Sequence, residues 1–205
     1  MSMTNKKLPW WRSKFILWIF LMLPGLMFTI ALLKSTMSYE DLMHATGEFS
    51  ARFLIFSLIA TPLAMLLPKA KFPKWLNRNK RYFGVAAFAY GLYHTIAYLV
   101  EVPFSTVLGE FFEIGLLTAW IGFIIWIPMA ITSTNGWVKR LKATWKKIHN
   151  WGYLAALLAF LHWAFIHYHW QAALIHASPI IVLQGYRWWK VMNNKRHLKP
   201  VAFKR

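Results

Sequence analysis

The stretch FILWIFLMLPGLMFTIALL, residues 15–33, runs for 19 residues without a charge. A helix of that length covers about 29 Å, the thickness of a bilayer's hydrocarbon core. Five more apolar stretches follow, at 49–67, 82–100, 114–131, 151–167 and 172–189. Lipid offers no hydrogen-bond partners, so a chain that crosses it this way must satisfy its backbone inside each segment, as a helix does. The expectation is an all-α integral membrane protein, a bundle of six transmembrane helices forming one domain over residues 1–205. The first stretch is too long for the apolar region of a signal peptide, has no small-residue cleavage pattern, and is followed by five others, so it reads as a span. Pro24, Pro128 and Pro179 lie inside spans. Membrane helices tolerate such residues where a neighbour repairs the interrupted backbone.

Charge sets the orientation. If both termini are cytoplasmic, the inner segments are 1–14, 68–81, 132–149 and 187–205, and they hold 22 of the 24 Lys and Arg residues. The two exceptions are Lys34 and Arg52. All six acidic residues, Glu40, Asp41, Glu48, Glu101, Glu110 and Glu113, fall at the outer ends of spans or in the outer loops. This is the positive-inside pattern. The net charge of +18 is therefore read as topology and as attraction to anionic lipid of the inner leaflet, not as a nucleic-acid footprint. Trp10, Trp11, Trp75, Trp188 and Trp189 sit at span ends, where aromatic rings favour the interface. The setting implied is a membrane crossed several times.

Several chemistries are excluded at once. With no cysteine, disulfides, iron–sulfur clusters held by thiolates, cysteine zinc sites and covalent c-type haem attachment all lack their ligands. Neither a G-x-G-x-x-G nor a Walker loop occurs, so no dinucleotide or ATP domain is indicated.

Histidine is the remaining chemistry. His44, His167, His169, His176 and His197 lie in loops, at span ends or in the basic tail, where a polar ring is cheap. His94 and His162 lie well inside spans three and five. His94 is thirteen residues beyond Arg81 and His162 thirteen beyond His149. Both therefore stand about 20 Å from the inner boundary, on two spans that run in the same direction. Two imidazoles at matched depth on neighbouring helices are what bis-histidine haem ligation needs. The alternative is a pair of core histidines bonded to each other or to backbone carbonyls. His149 marks the inner end of span five. It reads as a ligand to a second, inner haem, as an interfacial side chain, or as a hydrogen-bond partner of a propionate or quinone. On a continuous helix, thirteen residues would leave it about 140° around the axis from His162, and span three has no histidine at its depth.

Three stretches taken together carry a resemblance: HATGEFSARFLIFSLIATPLA (44–64), RNKRYFGVAAFAYGLYHTIAY (78–98) and ITSTNGWVKRLKATWKKIHNWGYLAALLAFLHW (131–163). In these the chain resembles the MsrQ family, the haem-binding membrane subunits of the MsrPQ methionine sulfoxide reductase system, within the ferric-reductase-like transmembrane class. The resemblance implies b-type haem, one or two per chain, with His94, His149 and His162 as iron ligands. It implies electrons taken from the quinone pool or from a flavin reductase and passed to MsrP, a periplasmic molybdopterin enzyme that repairs oxidised methionine in proteins. It also implies FMN, for which the sequence shows no motif. The chain is then the electron-transfer subunit and not the catalytic one. Ligation by His149 is the expectation.

The stray arginines fit this frame in more than one way. Arg52 could pair with Glu48 four residues earlier, snorkel, or bind a haem propionate. Arg78 and Arg81 mark the inner boundary of span three and could also bind a propionate or a quinone. Two other functions remain open at this level: a haem reductase of the same architecture with iron or quinone as acceptor, and a non-redox membrane protein with structural histidines. The absence of acidic residues from the inner two-thirds of every span argues against proton-coupled transport.

Overall fold

The computed structural model describes residues 13–166 and 170–197, apart from the side chains of 195–197. Trp10, Trp11, His167, His169 and the side chain of His197 lie outside this description. Among the described residues every regular element is a helix: α1 (Lys14–Leu33), α2 (Tyr39–Leu66), α3 (Lys71–Glu101), α4 (Phe104–Gly109), α5 (Ile114–Ile131), α6 (Asn135–Leu141), α7 (Ala143–Asn150), α8 (Gly152–Ile166) and α9 (Trp170–His197). Four of them, α1, α2, α3 and α5, are long and apolar enough to cross a membrane. The fifth and sixth expected spans fall on α8, which has 15 described residues, and on α9, which interrupts its apolar residues with Gln184, Arg187 and Lys190.

The helices overrun the apolar windows of the sequence. α2 begins ten residues before position 49, because Ser38 and Asp41 form a reciprocal capping box that starts the helix in the polar region. His44 and Glu48, expected in an outer loop, are therefore helical. α3 begins eleven residues before position 82 and carries its inner lysines and arginines on helix. The inner segment 132–149 is folded into α6 and α7, and residues 101–113 contain α4.

α2 and α3 form the most extensive helix pair, and small residues set their register. A Cβ on Gly91 would meet the Ser50 hydroxyl, and a Cβ on Gly84 the Ser57 hydroxyl, each at 3.2 Å. Ser50 and Ser57 are seven residues apart on α2, and Gly84 and Gly91 are seven apart on α3. Two helical turns on one helix are thus matched by two on the other. Ser50 Oγ also donates to the Ala87 carbonyl at 2.8 Å. Small residues with an occasional interhelical hydrogen bond are the usual means of close helix approach in lipid, where apolar burial between helices drives little. The same register continues outward to Gly47 beside His94 and inward to Thr61 beside Lys80.

The interrupted backbone of α1 is repaired by a neighbour. The Tyr90 hydroxyl accepts from the Gly25 amide at 2.6 Å and donates to the Leu21 carbonyl at 3.0 Å. It thereby inserts into the ladder beside Pro24. Tyr90 belongs to the core with Leu17, Leu21, Phe53, Phe83, Ala87, Trp126 and Ala156, so α1 docks where α2, α3, α5 and α8 converge.

Candidate functional site

His94 comes from α3 and His162 from α8. Their ring centres are 6.2 Å apart, with the planes at 76°. His94 Nδ1 is 2.8 Å from the Met43 carbonyl on α2, and His162 Nδ1 is 2.9 Å from the Gly115 carbonyl on α5. A carbonyl only accepts, so each Nδ1 carries the proton and donates, and each ring has its lone pair on Nε2. Such a second hydrogen bond to a backbone carbonyl fixes the tautomer and orientation of metal-binding histidines generally. The matched depth read from the sequence thus becomes a contact between rings, made by four helices.

Gly47 makes room for this arrangement. A Cβ there would stand 3.2 Å from His94 Nδ1. Its signal in the sequence is a lone glycine inside a helical pattern, a residue that costs helix stability unless packing needs it. Tyr98 lies one turn beyond His94 on α3. Its hydroxyl and the Trp120 indole nitrogen are, among the described residues, the buried side-chain polar atoms without a hydrogen-bond partner.

His149 is placed differently. Its Nε2 is 3.2 Å from Thr132 Oγ1, and the Thr132 hydroxyl donates to the Pro128 carbonyl at 2.7 Å. The threonine's proton is thus committed, and His149 Nε2–H is the donor, which leaves the lone pair on Nδ1. The ring stacks on Trp145 at 3.9 Å, whose indole nitrogen donates to the Thr132 carbonyl at 3.0 Å. Burial, and then the nearby Arg81 charge, hold the imidazole below its usual value, so the ring is neutral at pH 7. Between His149 and His162 the helix is not regular: α7 ends at Asn150 and α8 starts at Gly152, with a tightened turn at Trp151.

Arg81 is half-buried, donates to Asn135 Oδ1 and lies over the Tyr82 ring. With Trp18, Tyr82, Ser133 and Asn135 it lines a cleft of about 300 Å³ at the end of the bundle away from the carboxylates. Arg78 is exposed at the same end. Arg52 pairs with Glu48 and lies 5.3 Å from the centre of the Phe49 ring. This realises the i,i+4 reading. His176 bonds the Ala172 carbonyl one turn back on its own helix.

The donor set can be tested against a haem iron. Imidazole nitrogens bind such metals at about 2 Å, and each ring centre lies about 1 Å behind its nitrogen, so two rings on one iron have centres about 6 Å apart. The His94–His162 spacing fits, as do the tautomers and the helices of origin.

Comparison with known proteins gives the family. The profile of the ferric reductase like transmembrane component family matches residues 46–160. A haem-binding subunit MsrQ of protein-methionine-sulfoxide reductase from Xanthomonas oryzae pv. oryzae is 36% identical over 163 residues, covering 76% of this chain and 72% of that protein. The MsrQ of Caulobacter vibrioides is 33% identical over 169 residues, covering 77% and 74%. The chain belongs to the MsrQ family. Its multi-pass membrane character follows from that membership and from the four apolar helices. The matched residues 46–160 contain His94 and the Thr132–Trp145–His149 cluster and end two residues before His162.

Proposed function

We propose that this chain carries electrons across a bacterial inner membrane to a periplasmic MsrP-like molybdopterin reductase, which repairs methionine sulfoxide in proteins. The observation that supports this reading best is the His94–His162 pair, two carbonyl-anchored imidazoles whose ring centres lie 6.2 Å apart. Held there, a b-type haem would supply a one-electron carrier. The residues do the rest. Met43 and Gly115 carbonyls fix the rings, Gly47 admits His94, and Tyr98 offers an uncommitted hydroxyl. α8 and α9 act as the fifth and sixth spans, with both termini cytoplasmic. FMN, which the resemblance also implies, is assigned no residues.

Electrons enter this scheme at the inner end. The cleft beside Arg81 and Asn135 would receive quinol, or the electrons of a flavin reductase, with neutral His149 adjacent to Arg81. The Nε2–Thr132 bond favours a hydrogen-bonding role for His149. Ligation of a second haem through Nε2 would require Thr132 to be released. His149→Ala is accordingly expected to keep the haem-to-protein ratio in a pyridine haemochrome assay while reduction by quinol slows. A ratio halved by the substitution would instead make His149 the ligand of an inner haem.

Electrons leave at the outer end, where all six carboxylates lie: Glu40, Asp41 and Glu48 in the first turns of α2, Glu101 at the end of α3, and Glu110 and Glu113 before α5. An acceptor with a basic docking face is steered by such a field, and the steering weakens with salt. Reduced protein mixed with purified MsrP-type reductase should transfer electrons more slowly as ionic strength rises. No transfer at any ionic strength would refute this acceptor, and a rate indifferent to salt would refute the electrostatic docking.

A further inference from the structure

Far from the histidine pair, three cations converge where the inner ends of α2, α3 and α9 meet. Lys80 Nζ donates to Thr61 Oγ1 at 2.7 Å. Lys190 Nζ donates to the Met65 carbonyl at 3.1 Å and is 3.2 Å from the Tyr186 hydroxyl. Arg187 Nη1 donates to the Tyr153 hydroxyl at 2.8 Å and lies 3.4 Å from Gln184 Oε1. Gln184 itself ties α9 to α2 through the Leu58 carbonyl at 2.7 Å. Leu58, Thr61 and Met65 form one stripe of α2 by their helical spacing, so Lys80 and Lys190 bond the same stripe, with Arg187 one turn before Lys190 on α9. All three are half-buried, and Arg187 is near enough for its charge to act on Lys80.

Every partner just named is neutral. The carboxylate closest along α2 is Glu48, thirteen residues before Thr61 and thus about 20 Å away along the helix. The remaining acidic residues are at the same outer end. Topology alone requires basic residues near this interface, but not that two of them bond one stripe of α2 beside a third with no carboxylate near. Leu66, Leu67, Trp188 and Trp189, which flank these residues in sequence, are exposed apolar side chains.

We propose that the groove between these helices binds the phosphodiester of an anionic glycerophospholipid of the inner leaflet, with Lys80, Arg187 and Lys190 on the phosphate and the flanking apolar residues against the acyl chains. Basic pockets between membrane helices on the cytoplasmic side recognise such headgroups, and the arginine fork suits a phosphate's paired oxygens. The lipid would also bridge α9 to the α2–α3 pair at a point where like charges otherwise repel.

The test uses the full chain, stripped of native lipid and returned to mixed micelles of phosphatidylcholine and phosphatidylglycerol, with bound lipid read by native mass spectrometry. Wild type should retain phosphatidylglycerol in preference to phosphatidylcholine. Arg187→Gln with Lys190→Gln should weaken that retention about 30-fold, and Arg187→Lys, which keeps the charge but not the fork, should weaken it less than Arg187→Gln does. Lys139→Gln with Arg140→Gln on α6 removes the same charge from the inner end but not from the groove, and should leave retention unchanged. If the first pair fails to fold, judged by helical circular dichroism and monodisperse elution, Lys190→Gln alone carries the test with a loss of about fivefold. Equal retention of both lipids, or equal losses from the α6 pair, would overturn the proposal. So would displacement of the lipid by inorganic phosphate or FMN at concentrations comparable to the lipid's, since the groove would then be a plain anion site.

Discussion

His94→Ala and His162→Ala should each strip the protein of its low-spin haem, with the haem-to-protein ratio falling about tenfold or more in the purified membrane protein. Losing a hydrogen-bond partner behind a ligand already costs 10–100-fold in metal affinity, roughly, and these changes remove the ligand itself. Each substitution also orphans a backbone carbonyl, Met43 on α2 or Gly115 on α5, that the ring had bonded. Those carbonyls remain within helices, so the effect on the fold should be small beside the effect on haem. Full haem retention in either variant would rule out the pair as ligands.

The second large effect is expected from a residue that touches no iron. Gly47→Ala places a methyl group 3.2 Å from His94 Nδ1, so the ring must give way by a few tenths of an ångström, at the expense of its bond to Met43. Gly47→Val allows no such accommodation. Haem affinity should fall about 10-fold with alanine, in the range for lost support behind a ligand, and further with valine. Alanine in mid-helix is meanwhile favoured over glycine by about 0.5–1 kcal/mol. Thermal unfolding of the haem-free protein should therefore show Gly47→Ala no less stable than wild type while its haem content drops. Parallel loss of both would mean that Gly47 serves helix packing alone.

These three residues also mark how much the sequence discloses. His94 and His162 were legible because helical rise converts residue count into depth, and depth is enough to bring two spans' side chains to one level. Gly47 was not legible as a partner of His94, because the register of α2 against α3 is set by Ser50, Ser57, Gly84 and Gly91, and that pairing is not written along either helix alone. His149 shows the same limit. Its position at the inner boundary followed from counting, but the hydrogen bond to Thr132 depends on how α6 and α7 fold back beneath α5. The apolar windows located the four long apolar helices closely at their lipid-facing parts and missed their polar extensions, since a capping box or a lysine-rich turn continues a helix without adding hydropathy. Arg52 was readable to the extent that i,i+4 geometry is local, and the Glu48 pair is the local outcome. The cations of α3 and α9 were visible only as topology. That Lys80 and Lys190 bond the same stripe of α2 is a tertiary fact.

The central claim is that His94 and His162 hold one iron between them in the orientation the rings already have. Low-temperature electron paramagnetic resonance of the oxidised protein tests it most directly. Rings at 76° leave the two iron orbitals that overlap their π systems nearly equal in energy, so bis-imidazole ligation predicts a strongly anisotropic low-spin ferric signal, lost in His94→Ala and His162→Ala. A high-spin signal in the wild type, or a low-spin signal that survives both substitutions, would contradict the account.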